Sequence, residues 1–251
     1  MESALKTIDL LWESLPSDAA VQQVVVGAFW TVVVVKRKTL CCGLASSMRD
    51  FSSREGVQVE AAGELHRQSA RELARLIYSK NPMEAGIGMA AINALVEVDL
   101  KACREINARE LILREGKNRN VVVVGHFPFI PAVRDVAANC QVLELHPGPG
   151  DLPAERAGEV LPEADVVALT ATSLINHTFD HLISLCKPNA FVILLGGSTP
   201  LVPLLLDRGI TVLAGTVLQD VEAAVRAISQ GANFRQIPGR KLITLTRIPN
   251  L

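Results

Sequence analysis

Val121-Val122-Val123-Val124-Gly125-His126-Phe127-Pro128 is the stretch on which the fold turns. Four consecutive valines make a strand that is apolar on both faces, as in a parallel sheet covered by helices on two sides. Outward from it, similar short runs at 142–145, 165–169, 191–195 and 211–213 alternate with helical stretches near 132–138, 173–185, 201–207 and 217–230. This alternation predicts an α/β architecture, a doubly wound, Rossmann-like parallel sheet with right-handed crossovers. Ligands of such sheets sit outside the carboxyl ends of the strands, so chemistry is expected in the loops that follow each run.

Upstream the rhythm differs. Leu5, Ile8, Leu11, Trp12 and Leu15 follow helical spacing over 3–15, and Pro16 stops the helix. Three β-rich runs at 21–28, 31–37 and 39–44 are joined by short connections, which predicts an antiparallel meander. A polar stretch at 49–63 reads as irregular, and helices are expected at 64–78, 84–98 and 107–114. The chain therefore divides into an α+β domain over 1–105 and a Rossmann-like domain over 106–251.

Composition narrows the functional classes. Of 251 residues 49% are hydrophobic, and 25 basic residues nearly balance 26 acidic ones. With no long basic run, a nucleic-acid footprint is not expected. The longest apolar run, residues 24–35, is too short for a bilayer, which needs about 20 residues, so membrane insertion is not expected either. Five cysteines without CxxC spacing, behind a start with no signal-peptide pattern, place the protein in the cytoplasm with reduced thiols. Cys41 and Cys42 are adjacent on a strand and point to opposite faces, which is poor geometry for sharing a metal.

The strand-end loops carry the candidate residues. Gly125 is followed by His126, Phe127 and Pro128 rather than by a glycine-rich phosphate loop, which argues against ordinary dinucleotide binding. His126 reads either as a ligand, acid–base or hydrogen-bonding group, or as a residue that only closes the turn. Glu144, 19 residues after Gly125, stands where an acid meets a ribose hydroxyl in nucleotide-binding sheets; the alternative is a solvated carboxylate. Pro147-Gly148-Pro149-Gly150 can hold Asp151 toward a cleft. Thr170 opens a hydroxyl-rich turn, followed by Asn176, His177 and His181. The two histidines share a face at metal-capable spacing, but without a third ligand a surface or packed face is the better reading. Gly196-Gly197-Ser198-Thr199-Pro200 makes either an anion-friendly turn or a tight strand-to-helix connection. In the first half, Gly86, Gly88 and Asn93 lie on a helix whose small residues allow close approach of a ligand or of another backbone.

Seven stretches, taken in order, resemble the putative heavy-metal-chelation family. They are Gly43-Leu44-Ala45, the run from Gly86 through Ala94, Val124 through Pro128, Gly150-Asp151-Leu152-Pro153, Ala164-Asp165-Val166-Val167, Thr170 through Asn176, and Gly196 through Pro200. The resemblance implies an enolase amino-terminal-like domain packed on a Rossmann-like domain, with a site between them. It implies a role for Asn93, His126, Glu144, Asp151, Thr170, Asn176, Ser198 and Thr199. Gly197 departs from the expected Gly-Pro-Ser-Thr-Pro, which suggests a looser turn.

The leading expectation is binding of a divalent or transition metal ion, or a small metal complex, with His126, Glu144 and Asp151 as ligands. A second is an enzyme acting on a small anionic or nucleotide-like molecule, with His126 as acid or base. A third is a non-catalytic sensor or accessory module. The apolar composition leads us to expect a homodimer.

Overall fold

The computed structural model describes residues 6–48 and 59–249. The first three residues of the helix expected at 3–15, and all of the polar stretch 49–63 except residues 59–63, lie outside the described residues. Helix α1 (Thr7–Glu13) precedes strands β1 (Ala20–Val26), β2 (Trp30–Lys36) and β3 (Leu40–Ser46), which pair antiparallel in the order β1-β2-β3. The meander is the one its short connections dictate. The expected helix at 64–78 is a short α2 (Ala70–Ala74) between two 3₁₀ turns, Leu65–Arg67 and Arg75–Tyr78.

Helix α3 (Pro82–Leu95) organises this half. Asn81 caps it, accepting from the amides of Met83 at 2.9 Å and Glu84 at 3.5 Å, and Pro82 opens the first turn. From Ala85 to Leu95 every residue but Asn93 is buried. A helix apolar all round must be covered all round. It packs on β2 and β3 on one side, and touches α2 and the Rossmann half on the others. Two glycines permit this closeness. A Cβ at Gly43 would lie 2.1 Å from the Ala90 carbonyl, and one at Gly88 would lie 2.1 Å from the Ile77 amide.

The second half comprises β4 (Cys103–Arg104), α4 (Ala108–Gly116), β5 (Asn120–Val124), α5 (Ile130–Val136), β6 (Asn139–Glu144), β7 (Leu152–Pro153) and α6 (Ala157–Val160). It continues through β8 (Val166–Thr170), α7 (Thr172–Ile175), α8 (Phe179–Leu185), β9 (Phe191–Leu195), β10 (Val212–Leu218), α9 (Val221–Ser229) and β11 (Arg240–Thr246). The sheet order is β4-β11-β10-β9-β8-β5-β6-β7. Strands β5 to β10 are mutually parallel; β11 runs antiparallel to β10, and β4 to β11. The expected α/β class and parallel sheet are what the chain forms. The chain leaves β5 toward β6 and β8 toward β9, so the topological switch point lies between β5 and β8.

Three details differ from the sequence reading. The strand at 211–213 runs on to Leu218, because Val217 and Leu218 pair with Lys241 and Arg240 of β11, a strand the reading omitted. The stretch 201–207 is a 3₁₀ segment, Pro203–Arg208, rather than an α-helix. The helix at 173–185 breaks into α7 and α8 at His177, whose φ is 62°. Asn176 Oδ1 accepts from the Thr178 amide and hydroxyl, and His177 Nε2 meets the Ile77 carbonyl at 2.6 Å. His177 and His181 therefore do not share one helical face.

The halves interlock. Val33 and Val35 face a core shared with α3 and one face of the large sheet, while Val32 and Val34 face Ala224 and Ile228 of α9. Hence β2 is valine on both sides. Leu111, Ile112, Ile130 and Val133, on α4 and α5, cover the other face of the large sheet. At the far end the Thr7 amide donates to Asp180 at 3.1 Å, and Arg208 bridges Thr7 and Asp180, fastening α1 to the second half. No helix among the described residues is long and apolar enough to cross a membrane.

Candidate functional site

A cleft of about 1020 Å³ opens over the carboxyl ends of the parallel strands, against the amino-terminal sheet. That is at the upper end of the volumes that hold drug-sized ligands. Its walls come from both halves: Trp30 and Ser46 from the small sheet, and the β5, β6, β8 and β9 ends from the large one. Gly125, His126, Glu144, Thr170, Asn176, Gly196 and Ser198 all line it.

The switch point is tightly built. Gly125 has φ of +98°, and a Cβ there would lie 3.0 Å from the Thr170 Cβ, so only glycine lets β5 turn against β8. His126 projects from this turn with its side chain 64% exposed, and its Nδ1 lies 3.5 Å from Asp151 Oδ2. Asp151 does not line the cleft itself. Its side chain is 5% exposed, accepts from the Gly148 amide at 3.2 Å, and lies 3.8 Å from Arg134. The proline–glycine loop thus buries a carboxylate behind His126. Glu144 does not join this pair; its Oε2 accepts from the Leu145 amide at 3.1 Å. Thr170 Oγ1 and Thr172 Oγ1 are 2.9 Å apart.

The remaining expected positions lie behind the walls. Asn93 Nδ2 donates to the carbonyls of Leu44 at 2.9 Å and Ser198 at 3.0 Å, joining the two halves. Ser198 Oγ accepts from the Ser46 amide at 2.9 Å. The Gly-Gly-Ser-Thr turn is therefore also a clamp between the two halves of the chain. Thr199 is buried, and its hydroxyl finds no hydrogen-bond partner among the described residues. Gly86 and Gly88 face Ser46 and Ile77 rather than the cleft.

Sequence reasoning missed several wall residues. Trp30 packs against Phe234 with ring centroids 5.1 Å apart. Gly197 fits beneath both: a Cβ there would be 2.7 Å from Trp30 Cζ3 and 3.1 Å from Phe234 Cε2. The replaced proline is thus accounted for by an aromatic pair. Arg109, Thr216 and Arg235 also line the cleft, and only the fold brings them together; His181, read from sequence as part of a surface or packed face, lines it too.

A family model described as "Putative heavy-metal chelation" (DUF364) matches residues 107–246, more than half of the chain. The chain belongs to this family. A second model with the same description (DUF4213) matches residues 8–96. Among solved structures, a DUF364 protein of unknown function from Desulfitobacterium hafniense is 28% identical, with a TM-score of 0.79 over 96% of each chain. One from Pyrococcus horikoshii is 20% identical and shares the fold at a TM-score of 0.79, over 95% of this chain and 97% of that one. An uncharacterised protein of Methanocaldococcus jannaschii is 28% identical over 167 residues, 63% of this chain; the match spans 64% of that relative's length.

The family description raises a resident metal, and the residues present do not fit a bare ion. A protein-held transition metal needs three or four ligands at about 2.0–2.3 Å. Among the described residues no group of three or more His, Cys, Asp and Glu side chains comes together as a metal site. The thiols offer no alternative. Burial pushes Cys42 up to about 12 and Cys186 up to about 11, and raises Cys103 and Cys140 as well. Cys41 and Cys42 face different cores, as adjacent strand residues must.

The Cys42 thiol also predicts a pH dependence. Its pKa in the fold, about 12, lies above the ordinary value of 9.0, so the unfolded chain releases the proton first. Its contribution is intact below about pH 9 and is lost as pH rises toward 12, by up to roughly 1.4 kcal/mol per pH unit. Urea unfolding at pH 8 and pH 10 should show a loss for the wild type that is smaller in Cys42→Ala. Identical pH slopes would refute it.

Proposed function

We propose that the chain binds a small organic molecule, or a metal already complexed by one, in the cleft between the amino-terminal sheet and the Rossmann-like strand ends. The observation that supports this reading is the cleft: about 1020 Å³, mostly apolar-walled, with polar groups concentrated at the switch point. Pockets of that form suit a ligand with an apolar body and a few directional polar groups. The family's chelation theme enters through the ligand, whose own atoms would hold the metal. The enolase-like origin of the first domain, the two-domain boundary near 105 and a cytoplasmic homodimer belong to the same proposal.

The test is thermal unfolding of wild type and of Ala154→Trp, which places a large ring in the cleft wall. The panel is Zn²⁺ and Ni²⁺ alone, their citrate and histidine complexes, and a metabolite set. A ligand at about a hundred times its Kd adds roughly 2.7 kcal/mol, or about 5–10 °C for a chain of this size. We expect such a rise with a complex or metabolite, absent in Ala154→Trp. Equal stabilisation of both proteins by a bare ion would overturn the reading.

A second reading, a proton-transfer enzyme, is favoured by the His126–Asp151 pair. The buried carboxylate at Nδ1 makes Nε2 the proton-accepting nitrogen. Once a turnover assay exists, Asp151→Asn should depress kcat more than KM and alter the pH profile. A silent Asp151→Asn would exclude this role.

A further inference from the structure

The charge of the cleft walls goes further than their shape. The protein as a whole is nearly neutral, with a formal net charge of −1. Its cleft is not. Arg109 and Arg235 line it, with the imidazoles of His126, His146 and His181, against the single carboxylate of Glu144. Neither guanidinium forms an ion pair among the described residues: the Arg109 and Arg235 amides donate to Asn107 and Asn233, and the Arg235 carbonyl accepts from Arg240. Elsewhere on the surface arginines are commonly paired, as in Arg37–Glu97, Arg156–Glu159 and Arg247–Asp207.

The positions of the charges matter as well. Arg109 sits in the first turn of α4, which packs against β8 and β9, and Arg235 lies in the 3₁₀ turn that precedes β11. Glu144 ends β6 on the far side of the switch point. The two guanidinium groups thus come from segments outside the strand that carries the carboxylate, and the Trp30–Phe234 pair also lines the wall. Unpaired guanidinium groups at the rim of an apolar cavity select carboxylate, phosphate or sulfonate groups, for which their planar fork is shaped.

Resting on the cleft reading above, we infer that its ligand is an anionic amphipath: an apolar, planar body bearing an acidic group that Arg109 and Arg235 engage. A metal complex that enters would be one with net negative charge.

Two matched fluorescent probes test this. 8-Anilinonaphthalene-1-sulfonate carries a sulfonate, and N-phenyl-1-naphthylamine has the same aromatic frame without it. Both are titrated onto wild type, the Arg109→Gln/Arg235→Gln double variant, and Ala154→Trp, with His126→Trp as a second plug. Circular dichroism confirms folding of each. We expect the sulfonate to bind wild type and to weaken at least about tenfold in the double variant, while the neutral probe changes by less than about twofold. Raising salt from about 50 to about 500 mM should weaken the sulfonate alone. If the neutral probe binds as tightly as the sulfonate, and the double variant is indifferent, the anion preference is wrong. Loss of both probes in the plugged variants would then show that the cleft reading survives. If neither probe responds to either plug, the cleft reading fails and this inference fails with it.

Discussion

Gly43→Ala should cost about 3–5 kcal/mol, placing it in the tail of single-substitution effects. The new methyl carbon would stand 2.1 Å from the Ala90 carbonyl oxygen, 2.2 Å from the Ala94 amide and 2.5 Å from the Asn93 carbonyl carbon. All three are backbone atoms of one helix, so no side-chain rotation relieves the overlap. Strand β3 and helix α3 must separate, and a fully buried helix then loses its cover. Urea unfolding followed by tryptophan fluorescence reports on this directly, because Trp12 and Trp30 both lie in the first half. Gly158→Ala is the control. Nothing lies within 4 Å of a Cβ at that position in α6, and alanine there should be neutral or stabilise by up to about 1 kcal/mol. A loss below about 1 kcal/mol for Gly43→Ala would mean that β3 and α3 are not locked together.

Asn93→Leu comes next, with an expected loss of about 2–4 kcal/mol. Leucine matches asparagine in shape but donates nothing, so the Leu44 and Ser198 carbonyls each lose a partner. Those carbonyls belong to different halves of the molecule, so the cleft should loosen as the fold weakens. Ligand-induced thermal stabilisation should fall along with the basal transition. Asn93→Asp sharpens the test, since a carboxylate would face two carbonyl oxygens; it should be worse than leucine at neutral pH. If Asn93→Leu lowers ligand binding but leaves stability untouched, Asn93 contacts the ligand rather than joining the two halves.

Much of the fold could be read from local pattern, because buried parallel strands announce themselves. The valines of β5 and the run of β9 are apolar on both faces, and Phe191–Leu195 falls where the pattern puts it. Strand β11 escaped because Arg240-Lys241 begins it and only Ile243, Thr244 and Leu245 are buried. The break at His177 has a different origin. Its imidazole is held by a carbonyl 100 residues away, a partner that no window of sequence contains. The site divides along the same line. Residues at strand ends, such as His126 and Thr170, were legible because topology places them at the cleft. Trp30, Arg109 and the adjacent Phe234 and Arg235 come from three separate segments and carry no motif. The departure at Gly197 was visible as a missing proline, but its reason, the room needed by two aromatic rings, lies in the packing.

The two-sided burial of β2 has a consequence for how the chain is made. The strand is complete at Lys36, and the helix that covers its outer valines begins at Val221. At about 5–20 residues per second, the ribosome supplies that helix some 9–37 s later. Through that interval Val32 and Val34 stand on an uncovered face beside two partner strands, in an all-valine run of the kind that pairs with neighbouring chains. Synthesis of this protein should therefore lean on chaperones that shield nascent chains. Yield in cells should fall more steeply with temperature than the stability of the finished molecule does.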